Sequence, residues 1–509
     1  MSLSGALLIR ETTRFGSGLR DDSFVYLSSA EGIANFKGYA RQTGEGSLRP
    51  TTGFPPGYSF SLAVFNWLGL DLHAGARLLG GLGLSTLVLL TGVGISTATG
   101  SPGLAVVAAA MVLVSPTLVE VHSWALSESV YLPLSLAGIL LAFAFLTSAS
   151  PTPLVLSALV VGMASLTRYV GVSLTLALGA CLALGLGRPR RWRAVAGFAG
   201  LSLAPLAAFL ARNVMVSGGL ANRPILSWRP LEPSVVDRAS RILVSWLLPA
   251  PGINPSPGLS RAIACLLLAG LLIGTVWGIL EPRSGWQRER TPPAVRLVTT
   301  LGVHSIVYLA VLFTSMAVAD PRIQAGFSAV GERLLAPAHL DLMLIIPLGL
   351  HIGWKGAKSP WRTLAVGVAL LFTLAQVFGG VQKVRELRAD GLGFNSFAWR
   401  SSPAISYLRE LPEIPIYTNE VGAIYLLTGR YASFIPAKVG PSAPFDRSEY
   451  SEDLSRMRRT IRSERGILAI LGSVPRVRLE AEHLAELTIG LTLVEEFADG
   501  LIYRYTGGD

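Results

Sequence analysis

Apolar stretches long enough to cross a lipid bilayer recur from residue 76 to residue 380, and no other feature narrows the fold so far. A helix spanning the hydrocarbon core needs roughly 20 apolar residues, because each residue advances it by only about 1.5 Å. Candidate spans fall at 76–97, 102–119, 125–147, 152–168, 171–187, 194–213, 262–280, 297–317, 333–353 and 361–380; the fourth and fifth are short. Only 15% of the residues are charged, against about a quarter in an ordinary water-soluble domain. The expected fold class is an all-α polytopic membrane bundle with a small soluble α/β domain at its C-terminus.

The net charge of +11 would suggest nucleic acid in a soluble protein, so its distribution matters. Residues 381–509 carry 16 basic and 17 acidic side chains, whereas residues 1–380 carry 27 and 15. The basic excess therefore belongs to the membrane part, and no nucleic-acid partner is expected. Much of it sits in three short loops, RPRRWR (Arg188 to Arg193), EPRSGWQRER (Glu281 to Arg290) and WKGAKSPWR (Trp354 to Arg362). Basic loops stay on the cytoplasmic side, and counting crossings leaves all three on one face. Residues 10–75, the turn His122 to Glu128, residues 214–261, the segment 318–332 and the tail from about 381 then lie on the other. The localisation expected is a multi-pass protein of the cell (inner) membrane with an extracytoplasmic tail.

Three regions follow: 1–75 as a first outside loop with an interfacial helix, 76–380 as the bundle, and 381–509 as the soluble domain. At the start, only Ser2 to Ile9 is apolar, too short for a span, and no signal-peptide pattern is present. The expectation is that the sequence begins inside a first transmembrane helix, which in-frame codons upstream of Met1 would reveal. In the tail, β-like runs (Ile414 to Tyr417, Gly466 to Ile470, Leu501 to Tyr505) alternate with helical stretches (Ala404 to Leu411, Glu452 to Arg465). It holds neither a glycine-rich phosphate loop nor a nucleophile elbow, so a structural or acceptor-positioning part is expected of it. Cys181 and Cys265 lie in apolar stretches without metal or redox spacing and read as ordinary buried residues.

Chemistry-bearing residues cluster on the predicted outer face. Asp21 and Asp22 open DDSFVYLSSAEGI; two adjacent carboxylates can take a proton from an acceptor hydroxyl, hold a divalent cation, or simply open a helix. GFPPGYSFSLAVFNWLGL (Gly53 to Leu70) offers Tyr58, Phe60, Phe65 and Trp67 for an interfacial helix, as a wall to a site or as an aromatic anchor. Glu128 begins a span, where an ionisable group marks a site or answers the helix dipole. Arg168, at the outer end of another span, can bind phosphate, pair with a carboxylate, or snorkel. Asp320, Arg322, Glu332, Arg333 and His339 gather near a further outer helix start. Of these, Arg333 is the candidate for a lipid phosphate, because guanidinium offers a two-pronged fork to phosphate oxygens. A buried ion pair between Glu332 and an arginine is the plainer alternative. Asp341, inside the span, should face the bundle interior.

The order of these pieces resembles the GT-C glycosyltransferases, in particular family 39 and the rhizobial lipopolysaccharide core transferases. The likeness lies in the Asp21–Asp22 pair, PPGY (Pro55 to Tyr58), ARLL (Ala76 to Leu79), SE (Ser127, Glu128), LTRYVG (Leu166 to Gly171), RN (Arg212, Asn213) and ERLLAP (Glu332 to Pro337). The tail motif IYTNEVGAIYLLTGR (Ile416 to Arg430) also resembles tails of such proteins. The resemblance implies a polyprenyl-phosphate sugar donor and an extracytoplasmic acceptor: glycolipid, polysaccharide or protein. It implies Asp21 as catalytic base, Asp22 as its partner or alternative, and Glu128 as a second acidic group. Arg333 and Arg168 are implied as donor-phosphate ligands. No cofactor is demanded; a divalent cation held by Asp21 and Asp22 is the one candidate. The implied chemistry is sugar transfer with inversion, and the absence of any nucleotide-binding motif agrees with a lipid-linked donor. A multi-span transporter and a lipid-linked polysaccharide polymerase or ligase are the competing readings.

Overall fold

A computed structural model gives the fold. It describes all residues except 1, 43, 45, 149, 187, 222–227, 229, 248, 250–254, 281–290, 319–320, 357–358, 437–446, 473–480 and 508–509, and only the backbone at 2, 188–190, 321–330, 355–356, 359, 361, 447–449 and 481. The chain divides into two compact units that do not follow sequence order: Met1–Arg14, Thr52–Tyr58 and Gly75–Ala389 form a helical unit, and Phe15–Thr51, Ser59–Ala74 and Asp390–Asp509 form a sheet unit.

In the helical unit, seven helices among the described residues are long and apolar enough to cross a membrane. They are Leu72–Thr99, Glu128–Thr147, Arg191–Ser217, Pro257–Leu280, Pro293–Val318, Gly331–Trp354 and Arg362–Asp390. The expected span 102–119 is instead two helices, Pro102–Val114 and Pro116–Ser123, bent by 53°. Proline cannot donate an amide hydrogen and disfavours the helical conformation in the residue before it, so the chain turns out of the helix at Ser115, whose ψ is 119°. The Ser115 hydroxyl caps the new helix at Leu118 N (3.4 Å) and meets His339 Nε2 at 2.8 Å. The two short expected spans correspond to the apolar helices Thr152–Thr167 and Tyr169–Gly185, which are shorter than the seven above.

Several details depart from the expectations. RPRRWR is not a loop but the opening of the helix Arg188–Ser217; EPRSGWQRER and Asp320 lie outside the described residues, as does the Arg322 side chain. Cys265 is exposed rather than buried, as suits a helix that turns an apolar face outward, while Cys181 is buried; both are free. Asp341 does face inward: it is 1% exposed and accepts from Ser305 Oγ at 2.7 Å, with His304 Nδ1 also at 2.7 Å.

The sheet unit is built on five strands in the order Ser433–Phe434, Ile416–Thr418, Ile467–Leu471, Gly500–Arg504, Thr492–Phe497, the first three parallel and the last two antiparallel. The central strand ILAIL is apolar throughout because both of its faces are covered. Side chains alternate along a strand, so Ile467, Ala469 and Leu471 pack with Phe24, Ile405, Leu408 and Ile424. On the opposite face Leu468 and Ile470 pack with Leu454, Met457, Ile461 and Leu487. Phe24 comes from the first loop of the sequence: the Asp21–Asp22 segment is the opening of a helix, Asp21–Ala34, and that helix contributes to the core of the sheet unit.

Candidate functional site

Within the helical unit, Glu128 opens the helix Glu128–Thr147 and is 1% exposed. A carboxylate so far from water needs compensation, and two arginines provide it at the same oxygen: Arg168 Nη1 pairs with Oε1, and Arg333 Nε lies 3.0 Å from it. Arg168 also donates to Ser127 Oγ at 3.3 Å and lies over the Tyr131 ring, 5.9 Å from its centroid.

The position of Arg168 has a backbone cause. The helix Thr152–Thr167 ends at this residue, whose backbone is extended (φ −148°, ψ 134°), and the 3-10 turn Tyr169–Gly171 leads into the next helix. The turn is tight enough that a Cβ at Gly171 would lie 2.7 Å from Ser165 Cα, so no larger residue fits. Tyr169 anchors it by donating to Thr52 O at 2.8 Å. Both arginine side chains are 14% exposed, and with one carboxylate between two guanidiniums the cluster carries a formal charge of +1. Such a group suits an anion that arrives from one side. Glu332, expected as a possible ion-pair partner for arginine, lies 3.6 Å from Arg238, not on Arg333. Lys383 bridges Glu120 (3.0 Å) and Glu386 (3.1 Å), a grouping absent from the sequence reading.

Within the sheet unit, Asp21 and Asp22 occupy the first turn of their helix, where carboxylates answer the positive end of the helix dipole. Surrounding protein holds the Asp21 carboxyl above the usual range, the Asp22 charge adds to this, and Arg20 opposes it. A third carboxylate, Glu420, belongs to the same unit. Its pKa is pushed up to about 7, first by burial and then by the Asp21 charge.

Glu420 lies where strand Ile416–Thr418 turns into helix Val421–Thr428. The turn is fixed by Asn419, whose side-chain amide donates to Leu471 O and accepts from Leu471 N, each at 2.8 Å. Ten residues beyond Asp21, Glu31 Oε2 accepts from the hydroxyls of Tyr425 (2.7 Å) and Tyr431 (2.8 Å). Burial, with the Glu31 charge added, raises both phenols.

Glu420, Tyr425 and Tyr431 were missed from sequence; the only signal was the motif IYTNEVGAIYLLTGR itself. Among the described residues, no group of three or more His, Cys, Asp or Glu side chains is arranged to hold a metal ion. Two carboxylates alone would leave a divalent cation to draw most of its oxygen ligands from phosphate and water.

No family model and no curated protein matches the sequence. Solved structures do. ArnT from Cupriavidus metallidurans bound to undecaprenyl phosphate superposes with a TM-score of 0.54 at 12% identity, over 99% of this chain and 97% of that one. An Archaeoglobus fulgidus oligosaccharyltransferase tethered with an acceptor peptide gives 0.51 at 12% identity, over 99% and 74%. The arabinofuranosyltransferase AftD from Mycobacteria gives 0.52 at 14% identity, over 100% of this chain but 40% of that one. The fold of this chain is therefore that of the GT-C membrane glycosyltransferases.

Proposed function

We propose that this chain transfers a sugar from a polyprenyl-phosphate donor to an extracytoplasmic acceptor (a glycolipid, polysaccharide or protein) with inversion at the anomeric carbon. The observation that carries the reading is the Glu128 carboxylate shared by two partly exposed arginines on a fold also found in a structure bound to undecaprenyl phosphate. Arg333 and Arg168 hold the donor phosphate. Glu128, as the acidic group between them, fixes both guanidiniums so that their attraction to the leaving phosphate costs little reorganisation.

Asp21 serves as base, with Asp22 as its partner. It removes the proton of the acceptor hydroxyl as that oxygen bonds to the anomeric carbon. The bond from that carbon to the phosphate oxygen breaks, and the polyprenyl phosphate leaves with the electron pair. A carboxylate whose pKa is held above the usual range by burial is a stronger base than a free aspartate. The reading places the protein in a cell (inner) membrane, with its active site and sheet unit on the extracytoplasmic side.

The test is transfer from a panel of labelled polyprenyl-phosphate sugars by purified full-length protein, alongside Asp21→Asn and Arg333→Ala. At least one donor should be turned over, with turnover lost in the first variant and donor affinity lost in the second. Turnover of none, or an Asp21→Asn variant as active as wild type, would overturn the assignment.

A further inference from the structure

Four residues of the helix Asp21–Ala34 share one face at helical spacing: Asp21, Phe24, Ser28 and Glu31. Two of them are tied to the helix Val421–Thr428 and the loop after it. The Phe24 ring meets Tyr425 edge-on, with centroids 5.2 Å apart at 67°, and Glu31 receives the hydroxyls of Tyr425 and Tyr431. These contacts fix the helix along its length but leave open what sets the carboxylate at its first residue.

Gly422 answers that. A Cβ built there would lie 2.9 Å from Asp21 Oδ1, 3.4 Å from Asp21 Cα and 3.3 Å from Phe394 Cε2. The closest of these atoms is the far end of a rotatable side chain, so it, and not the backbone, would yield to an added methyl. Glycine is otherwise a poor choice near the start of a helix, costing about 1 kcal/mol relative to alanine. Its use here keeps clear the place that the Asp21 carboxylate occupies.

We propose that Gly422 is a positioning residue for Asp21, so that the C-terminal part of the chain sets the aim of a carboxylate near its start. The proposal rests on the reading of Asp21 as the base and extends it: the tail is part of the machinery that orients the acceptor's proton acceptor. An added methyl displaces the carboxylate by a fraction of an ångström to about an ångström, and misplacement on that scale can cost on the order of 100-fold in rate.

The experiment compares wild type, Gly422→Ala, Asp21→Asn and the double variant, all full length, for donor transfer and thermal unfolding. Gly422→Ala should lower kcat at least tenfold with donor KM within twofold and an unfolding midpoint equal to or above that of wild type. In the Asp21→Asn background the alanine should cost nothing further, because the group it displaces is already inactive. A Gly422→Ala enzyme with kcat within twofold of wild type, or one whose loss persists undiminished in the Asp21→Asn background, would overturn the proposal while leaving the base assignment intact. An Asp21→Asn enzyme with wild-type turnover would instead refute the underlying reading, and the proposal with it.

Discussion

Replacing Glu420 by glutamine should change how the stability of the sheet unit depends on pH, and by an amount that follows from the structure. The folded protein holds the Glu420 proton with a pKa of about 7, against an ordinary 4.5. Between those values the folded chain binds more protons than the unfolded one, so stability falls as pH rises. The contribution is fully present below pH 4.5 and lost once pH has passed 7. The loss is roughly 3 kcal/mol at most, or roughly 6–12 °C in the midpoint of a unit of this size.

Glutamine has nearly the same shape and no proton to lose. Calorimetric unfolding of the full-length protein from pH 5 to pH 8 should therefore show the wild-type transition of the sheet unit moving down relative to that of Glu420→Gln. The two should converge toward pH 5. A constant offset between them across this range would show that the carboxyl titrates as it does in water, and the argument from burial and the Asp21 charge would be wrong.

Glu128→Ala leaves two guanidiniums facing each other in a buried site and should cost about 3–5 kcal/mol, read as a lowered unfolding midpoint. Arg333→Lys keeps the charge but loses the planar fork; it should raise donor KM about tenfold or more while leaving the midpoint nearly unchanged in the same scan. Ile467→Ala removes a fully buried side chain from the central strand and should destabilise the sheet unit by about 2–5 kcal/mol, measurable by calorimetry.

Hydropathy made the bundle legible because burial in lipid is a property each segment carries by itself: of the ten apolar stretches, seven match helices long enough to cross a membrane, two match shorter apolar helices and one is a bent pair. The bend at Ser115 was equally available, from the Ser-Pro pair inside an apolar run, but average hydropathy smooths over a single proline. Three of the five strands of the tail were found from short apolar runs such as Gly466 to Ile470 for the same local reason, whereas Ser433–Phe434 and Thr492–Phe497 were not. What the sequence hid was partnership.

Nothing in DDSFVYLSSAEGI indicates that Phe24 belongs to a core whose other members begin at Ala404, nor that Glu31 is held by tyrosines 394 and 400 residues away. Glu420 read as an ordinary acidic residue beside a turn, since its raised pKa comes from surroundings that chain order does not contain. Glu128, Arg168 and Arg333 were each singled out, but that one carboxylate oxygen serves both arginines is a fact of packing.

The discontinuity of the sheet unit has a consequence for biogenesis. A ribosome delivers Asp21–Ala34 long before Gly500–Arg504, so the early helix has no completed core to join until that strand has been made. Joining ends so distant carries a high loop-closure cost and favours slow assembly. Deleting Gly500–Arg504 should thus be as damaging to the sheet unit as deleting Asp21–Ala34, because Ile502 and Phe24 belong to the same core.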